Sequence, residues 1–177
     1  MNVKYFRKKL IAIGMICTMV SLNVSIKNNR VSAEAEYGML IQDDFENGSC
    51  GFEARGDETV ELSTEEAHSG SYSLKISDRT ETWNGPSADK TAELTLGETY
   101  TFSIAIKYTG NSYPQSKNFS LQLQYNDGVE DQYKTIKTGS VTKDNWTILT
   151  GEYTIPTDAE DIKIYVETEW KSNPSQD

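Results

Sequence analysis

The chain has 177 residues, with 27 acidic against 17 basic side chains and a formal net charge of −10. So acidic a surface makes nucleic acids and anionic membranes poor partners, and solubility is the simplest use of the charge. The length suits one domain with a real core, and two cysteines, Cys17 and Cys50, exclude a disulfide-dense scaffold.

At the N-terminus, Lys4, Arg7, Lys8 and Lys9 precede a largely apolar run from Leu10 to Ile26, and Val31-Ser32-Ala33 has the small-x-small pattern read by signal peptidase. Residues 1–33 are therefore expected to be a secretory signal peptide, and the protein to be secreted and extracellular. The run is interrupted by Thr18, Ser21, Asn23 and Ser25, and at about 17 residues it falls short of the roughly 20 that a membrane-spanning helix needs. Cleavage after Ala33 removes six Lys or Arg and no acid, which leaves residues 34–177 with a charge of about −16 and one cysteine, Cys50. A single thiol has no internal disulfide partner.

Beyond the leader, no segment sustains a helical period, while short alternating runs separated by turn residues recur. They predict strands over 40–45, 59–63, 72–78, 92–96, 100–108, 119–125, 132–138, 145–153 and 162–169, an all-β fold of the sandwich type. The cleanest alternation puts Tyr100, Phe102, Ile104, Ile106 and Tyr108 on one face, and Phe119, Leu121, Leu123 and Tyr125 repeat it. Gly70, Gly97-Glu98, Gly110-Asn111-Ser112, Asn126-Asp127-Gly128 and Pro156-Thr157-Asp158 supply the turns. Asn145-Trp146-Thr147 opens another alternating strand with Ile148, and this places Trp146 in the core.

Two features bear on chemistry. Trp83 follows the strand ending near Asp78 and precedes the turn cluster Asn84-Gly85-Pro86, so its indole is expected at a strand end or loop where full burial is difficult. In the last predicted strand, Ile162, Ile164 and Val166 face the core, while Lys163, Tyr165, Glu167 and Glu169 face the other way. A pyranose has apolar C–H faces and a belt of hydroxyls, so a sugar site pairs aromatic platforms with carboxylates, amides or guanidinium groups. Tyr165 and Glu167 meet that requirement, although the same spacing also describes ordinary surface residues. The one histidine, His68, reads as a turn residue; no serine or cysteine has a nucleophile context, and a zinc site of the usual kind lacks ligands.

The run His68 to Pro86, H-S-G-S-Y-S-L-K-I-S-D-R-T-E-T-W-N-G-P, resembles the signature of family 22 carbohydrate-binding modules, the xylan-binding β-sandwiches attached to many bacterial xylanases. Weaker similarity extends from about Asp43 to Glu169. The resemblance implies a two-sheet antiparallel β-sandwich of jelly-roll type over residues 34–177. It implies that Tyr165 and Glu167, in Tyr165-Val166-Glu167, line a xylan cleft. It implies a cleft arginine at Arg55, within Phe52-Glu53-Ala54-Arg55-Gly56, a stacking tryptophan at Trp83 and a second aromatic wall at Tyr133. Asp44-Phe45-Glu46 is similar to the first-strand motif where related sandwiches hold a structural calcium, with Glu46 as a ligand; oxygen-rich donors suit that ion. No organic cofactor is implied.

The sequence Lys171 to Asp177 is a polar loop without a following strand, whereas the family closes its sandwich with one more strand carrying paired aspartates. The resemblance thus implies a piece of a longer secreted protein, lacking its last strand here, monomeric, and covalently linked to a catalytic domain such as an endo-1,4-β-xylanase. The expected function is non-catalytic binding of xylan and xylo-oligosaccharides. The alternatives are a small β-sandwich glycosidase, which would need two facing carboxylates, and an adhesion or structural β-domain with no sugar ligand.

Overall fold

The computed structural model describes residues 23–26, 39–109 and 115–170, with side chains for 41–109 and 115–170. The described residues form eleven strands: β1 (Asn23–Ile26), β2 (Met39–Gln42), β3 (Glu53–Ala54), β4 (Thr59–Ser63), β5 (Ser73–Ser77), β6 (Pro86–Asp89), β7 (Thr99–Lys107), β8 (Ser116–Asn126), β9 (Asp131–Thr142), β10 (Trp146–Thr154) and β11 (Glu160–Thr168). They make a four-stranded sheet of order β10-β7-β1-β2, a five-stranded sheet of order β3-β6-β11-β8-β9, and a separate β4-β5 hairpin. Every ladder between these strands is antiparallel.

Alternation explains the layering. Tyr100, Phe102, Ile104 and Ile106 on β7, and Tyr108 just after it, are fully buried, and Leu121, Leu123, Ile162, Ile164 and Val166 meet them from the other sheet. Each such side chain contributes about 1.5–3 kcal/mol on burial. Phe45 and Phe52 close one end with their rings edge to face, 6.0 Å between centroids. Along the flank, β9 and β10 come close at Gly151, where a Cβ would run into the Ile136 carbonyl and its side chain, so only glycine fits.

Most predicted strands stand where the alternation put them, but four elements differ. The expected strand at 92–96 is a turn segment in which the Lys90 carbonyl accepts from the Glu93 and Leu94 N–H groups; Leu94 alone turns into the core, which imitates alternation. In its place β6 opens at Pro86, whose missing N–H is tolerated at the first residue of a strand. The two-residue β3 is too short to show a period. β1 lies inside the stretch read as a leader and pairs with both β2 and β7, so cleavage after Ala33 would take it out of the sheet. The remainder of that leader, the turn at 110–112 and the polar tail at 171–177 lie outside the described residues.

Trp146 is half-buried against the core, with the His68 ring edge-on at 5.2 Å. Ile148 points outward at 57% exposure, and Leu149 takes the core position instead.

Candidate ligand-binding cleft

The outward face of the five-stranded sheet carries the site, and its register sets the order of side chains. One rung runs Tyr133 (β9), Gln124 (β8), Lys163 (β11) and Asp89 (β6); the next runs Thr135, Gln122, Tyr165, Ser87 and Glu53. A third pairs Thr138, Ser120 and Glu167. Between the second and third rungs β9 has an extra residue, Ile136, which turns into the core. This bulge changes the parity of β9, so that Tyr133 and Thr135 face the cleft before it and Thr138 after it.

Two cavities share Arg55 and Tyr133 as common walls. One, of about 580 Å³, reaches toward Asp89 and Lys163; the other, of about 470 Å³, is lined by Trp83, Tyr165, Glu167 and Trp170 among others. Together they form a groove along β11. The strand portion from Lys163 to Thr168 spans about 17 Å at ~3.4 Å per residue, room for several linked pyranose rings.

Arg55, Trp83, Tyr133, Tyr165 and Glu167, all singled out from the sequence, come together here. Arg55 is the hub. Its guanidinium carbon lies 3.6 Å over the Tyr165 ring centroid, and its Nη1 donates to the Trp83 carbonyl at 3.2 Å and sits 3.8 Å from Glu167 Oε2. Tyr165 is consequently only 2% exposed. Tyr165 shares the outer face with Glu167, as the alternation predicts, and Arg55 roofs its ring there. Burial first, and then the nearby Glu167 carboxylate, pushes its phenol up to about 12, so it stays a neutral donor and a support for the guanidinium.

Of the aromatic residues expected in the cleft, Trp83 and Tyr133 are open, at 40% and 55% exposure. Between them Glu167 Oε1 accepts from Gln122 Nε2 at 2.9 Å. Burial raises the Glu167 carboxyl above its ordinary value, against the pull of Arg55 and the Gln122 hydrogen bond. Rings for a sugar face thus stand beside a carboxylate, an amide and a guanidinium for its hydroxyls.

Two buried charges with no signal in the sequence hold this geometry. Glu58, 5% exposed, accepts from the Arg55 and Gly85 N–H groups through Oε1 at 2.7 and 2.8 Å, and from Gly56 N–H through Oε2 at 3.0 Å. One carboxylate therefore ties the Arg55 loop to the Trp83 loop with charge-assisted bonds. Arg79, 4% exposed, donates to the carbonyls of Thr82 and Asn84 on either side of Trp83, and to Thr168 Oγ1, each at 2.8 Å. Burial lowers its pKa to about 10, which leaves it charged at neutral pH. Asn84 Oδ1 accepts from the Thr80 and Glu81 N–H groups at 3.0 and 2.7 Å, and a Cβ on Gly56 would meet the Trp83 ring at 2.9 Å. Asp57-Glu58 and Asp78-Arg79 look like ordinary loop charges in the sequence. Only the pairing of distant loops reveals their role.

Glu46 lies away from this cleft. Its Oε1 accepts from the Ser71 and Tyr72 N–H groups at 2.8 and 2.9 Å, a brace for the turn at Gly70. Among the described residues no group of three His, Cys, Asp or Glu side chains converges on a metal position.

An antiparallel sandwich with a preformed groove of rings, carboxylate and guanidinium on one sheet is built as a binding module. The chain belongs to the family described as "Carbohydrate binding domain", whose model matches residues 37–174, and within it to family 22 of carbohydrate-binding modules. It is 33% identical to the C-terminal family 22 module of Clostridium thermocellum Xyn10B, with a TM-score of 0.67 over 74% of this chain and 84% of that one. The CBM22-2 xylan-binding domain of Paenibacillus barcinonensis Xyn10C is 27% identical, with a TM-score of 0.67 over 73% and 84%. Endo-1,4-beta-xylanase A of Thermotoga maritima is 33% identical over 84% of this chain, which spans only 14% of that relative's length.

Proposed function

We propose that this chain binds xylan and xylo-oligosaccharides without cleaving them, along the groove on the five-stranded sheet. The observation that carries the reading is the placement of two open rings, Trp83 and Tyr133, beside the Arg55–Glu167 pair in one continuous groove. A groove follows a single polysaccharide chain, whereas a flat aromatic surface follows a crystal. Binding is expected to be micromolar to millimolar, about −8 to −4 kcal/mol, to strengthen with oligosaccharide length, and to be weak on crystalline cellulose. Titration with a xylo-oligosaccharide series beside a cellulose pull-down tests this; preference for cellulose would contradict it. The chain should release no reducing sugar from xylan.

In this reading the module is secreted, leaves its signal peptide behind, remains monomeric, and raises the effective concentration of a covalently linked glycoside hydrolase at its substrate. A structural calcium at Glu46 is also proposed. A chelator should lower the melting temperature if that ion is bound, and an unchanged melting temperature would remove the proposal.

Binding should depend on pH through Glu167. Sugar hydroxyls donate to its charged form, so ligand lowers the carboxyl pKa, and affinity is full above the raised pKa of the free protein and falls as pH drops through it. The sign for stability is opposite. A raised pKa in the fold means that protonation of Glu167 favours the folded state, so acid weakens binding through this group without unfolding the chain. Calorimetry from neutral to mildly acidic pH checks it, with Glu167→Gln expected to flatten the profile.

A further inference from the structure

The end of the groove holds an indole that neither the core nor the loop clamp uses. Trp170 is 81% exposed, although a tryptophan can cover about 150–250 Å² of surface when it finds a partner. The chain leading to it is held in place. The Thr168 N–H donates to the Thr82 carbonyl at 3.0 Å and the Glu169 N–H to the Asn118 carbonyl at 3.2 Å, while Asn118 Nδ2 donates to Glu169 Oε2 at 3.1 Å. The backbone is thus anchored on both sides of the segment, to the Thr82 loop and to β8, up to the residue before Trp170. From there the ring lines the 470 Å³ cavity together with Trp83, Glu167 and Thr168.

We propose that Trp170 is a further sugar-binding platform, an end subsite that takes one more pyranose of a chain already held at Trp83. The inference rests on the cleft reading above. A ring that lines the same cavity as Trp83 and Glu167 offers an apolar face to the C–H face of a sugar. Such a subsite matters only to a ligand long enough to reach it. Its signature is therefore length dependence, not a uniform loss of affinity.

The test is calorimetric titration of the parent, Trp170→Ala and Trp83→Ala chains with xylotriose and xylohexaose. Near-ultraviolet circular dichroism and thermal melts first show that each variant is folded. Trp170→Ala is expected to weaken xylohexaose binding about three- to tenfold, the scale of one aromatic contact, and to leave xylotriose within about twofold. Trp83→Ala should weaken both. Unchanged xylohexaose binding by Trp170→Ala, or equal losses for the two ligands, overturns the end subsite while the cleft stands. If Trp83→Ala also binds like the parent, the cleft reading itself fails and takes the subsite with it.

Discussion

Replacing Trp83 by alanine is expected to weaken xylan binding by about 1.5–3 kcal/mol, from lost ring burial and stacking, or roughly ten- to a hundredfold in Kd. The fold should survive, because the loop around Trp83 is held through backbone groups and not through the indole. Arg79 grips the carbonyls of Thr82 and Asn84, Glu58 holds Gly85 N–H, and Asn84 folds back on Thr80 and Glu81. Glu167→Ala should act by a different route, removing a charged acceptor worth roughly 1.5–3 kcal/mol to its donors. Calorimetry on folded variants measures both. Parent-like affinity in both would place the ligand elsewhere on the molecule.

The second large effect falls on a residue that never touches the ligand. Glu58→Ala leaves the N–H groups of Arg55, Gly56 and Gly85 without their shared acceptor. The Gly85 N–H is the buried donor of the three, whereas Gly56 is exposed and the Arg55 N–H keeps the Gly85 carbonyl at 3.3 Å, so the loss is expected to be about 1–3 kcal/mol, the cost of one buried unsatisfied donor. Because those donors belong to the loops that carry Arg55 and Trp83, affinity should fall even where the chain remains folded. Glu58→Gln should be intermediate: its amide keeps one acceptor oxygen and turns a donor toward the remaining N–H. Denaturant titration gives the stability, and calorimetry well below the melting temperature gives the affinity. A variant with parent-like stability and binding would show that the carboxylate is not the clamp described.

The core was legible because burial writes itself into a period of two. Tyr100 to Tyr108, Phe119 to Tyr125 and Ile162 to Val166 each alternate without interruption, and each forms a strand with the expected face inward. The same alternation misled at 92–96, where a single buried leucine on a turn gave the pattern without the ladder. It could not reveal β6, whose Pro-Ser-Ala-Asp has little strand character and which pairs because β3 and β11 flank it. Nor could it foresee the extra residue at Ile136, since a bulge breaks the parity on which the reading depends.

The cleft divides in the same way. Glu167 and Tyr165 could be placed on one face from strand spacing, and Arg55, Trp83 and Tyr133 from family resemblance. That Arg55 would stack on Tyr165 and cover it was hidden, because the two are distant in sequence and meet only across the β3-β6-β11 layer. Glu58 and Arg79 were hidden more deeply. Apart from Thr168 Oγ1, the partners described are backbone groups, which have no sequence signature.

The central claim, that the groove on the five-stranded sheet is where xylan binds, can be read from the indoles of the chain's three tryptophans. In a nitrogen-15 labelled sample, titration with xylohexaose should move the Nε1–H resonance of Trp83, assigned from the Trp83→Ala spectrum, in a saturable manner. The Trp146 resonance, from a ring set against His68 and the core, should stay in place. Saturable binding with a stationary Trp83 resonance, or with Trp146 as the responding indole, would contradict the account.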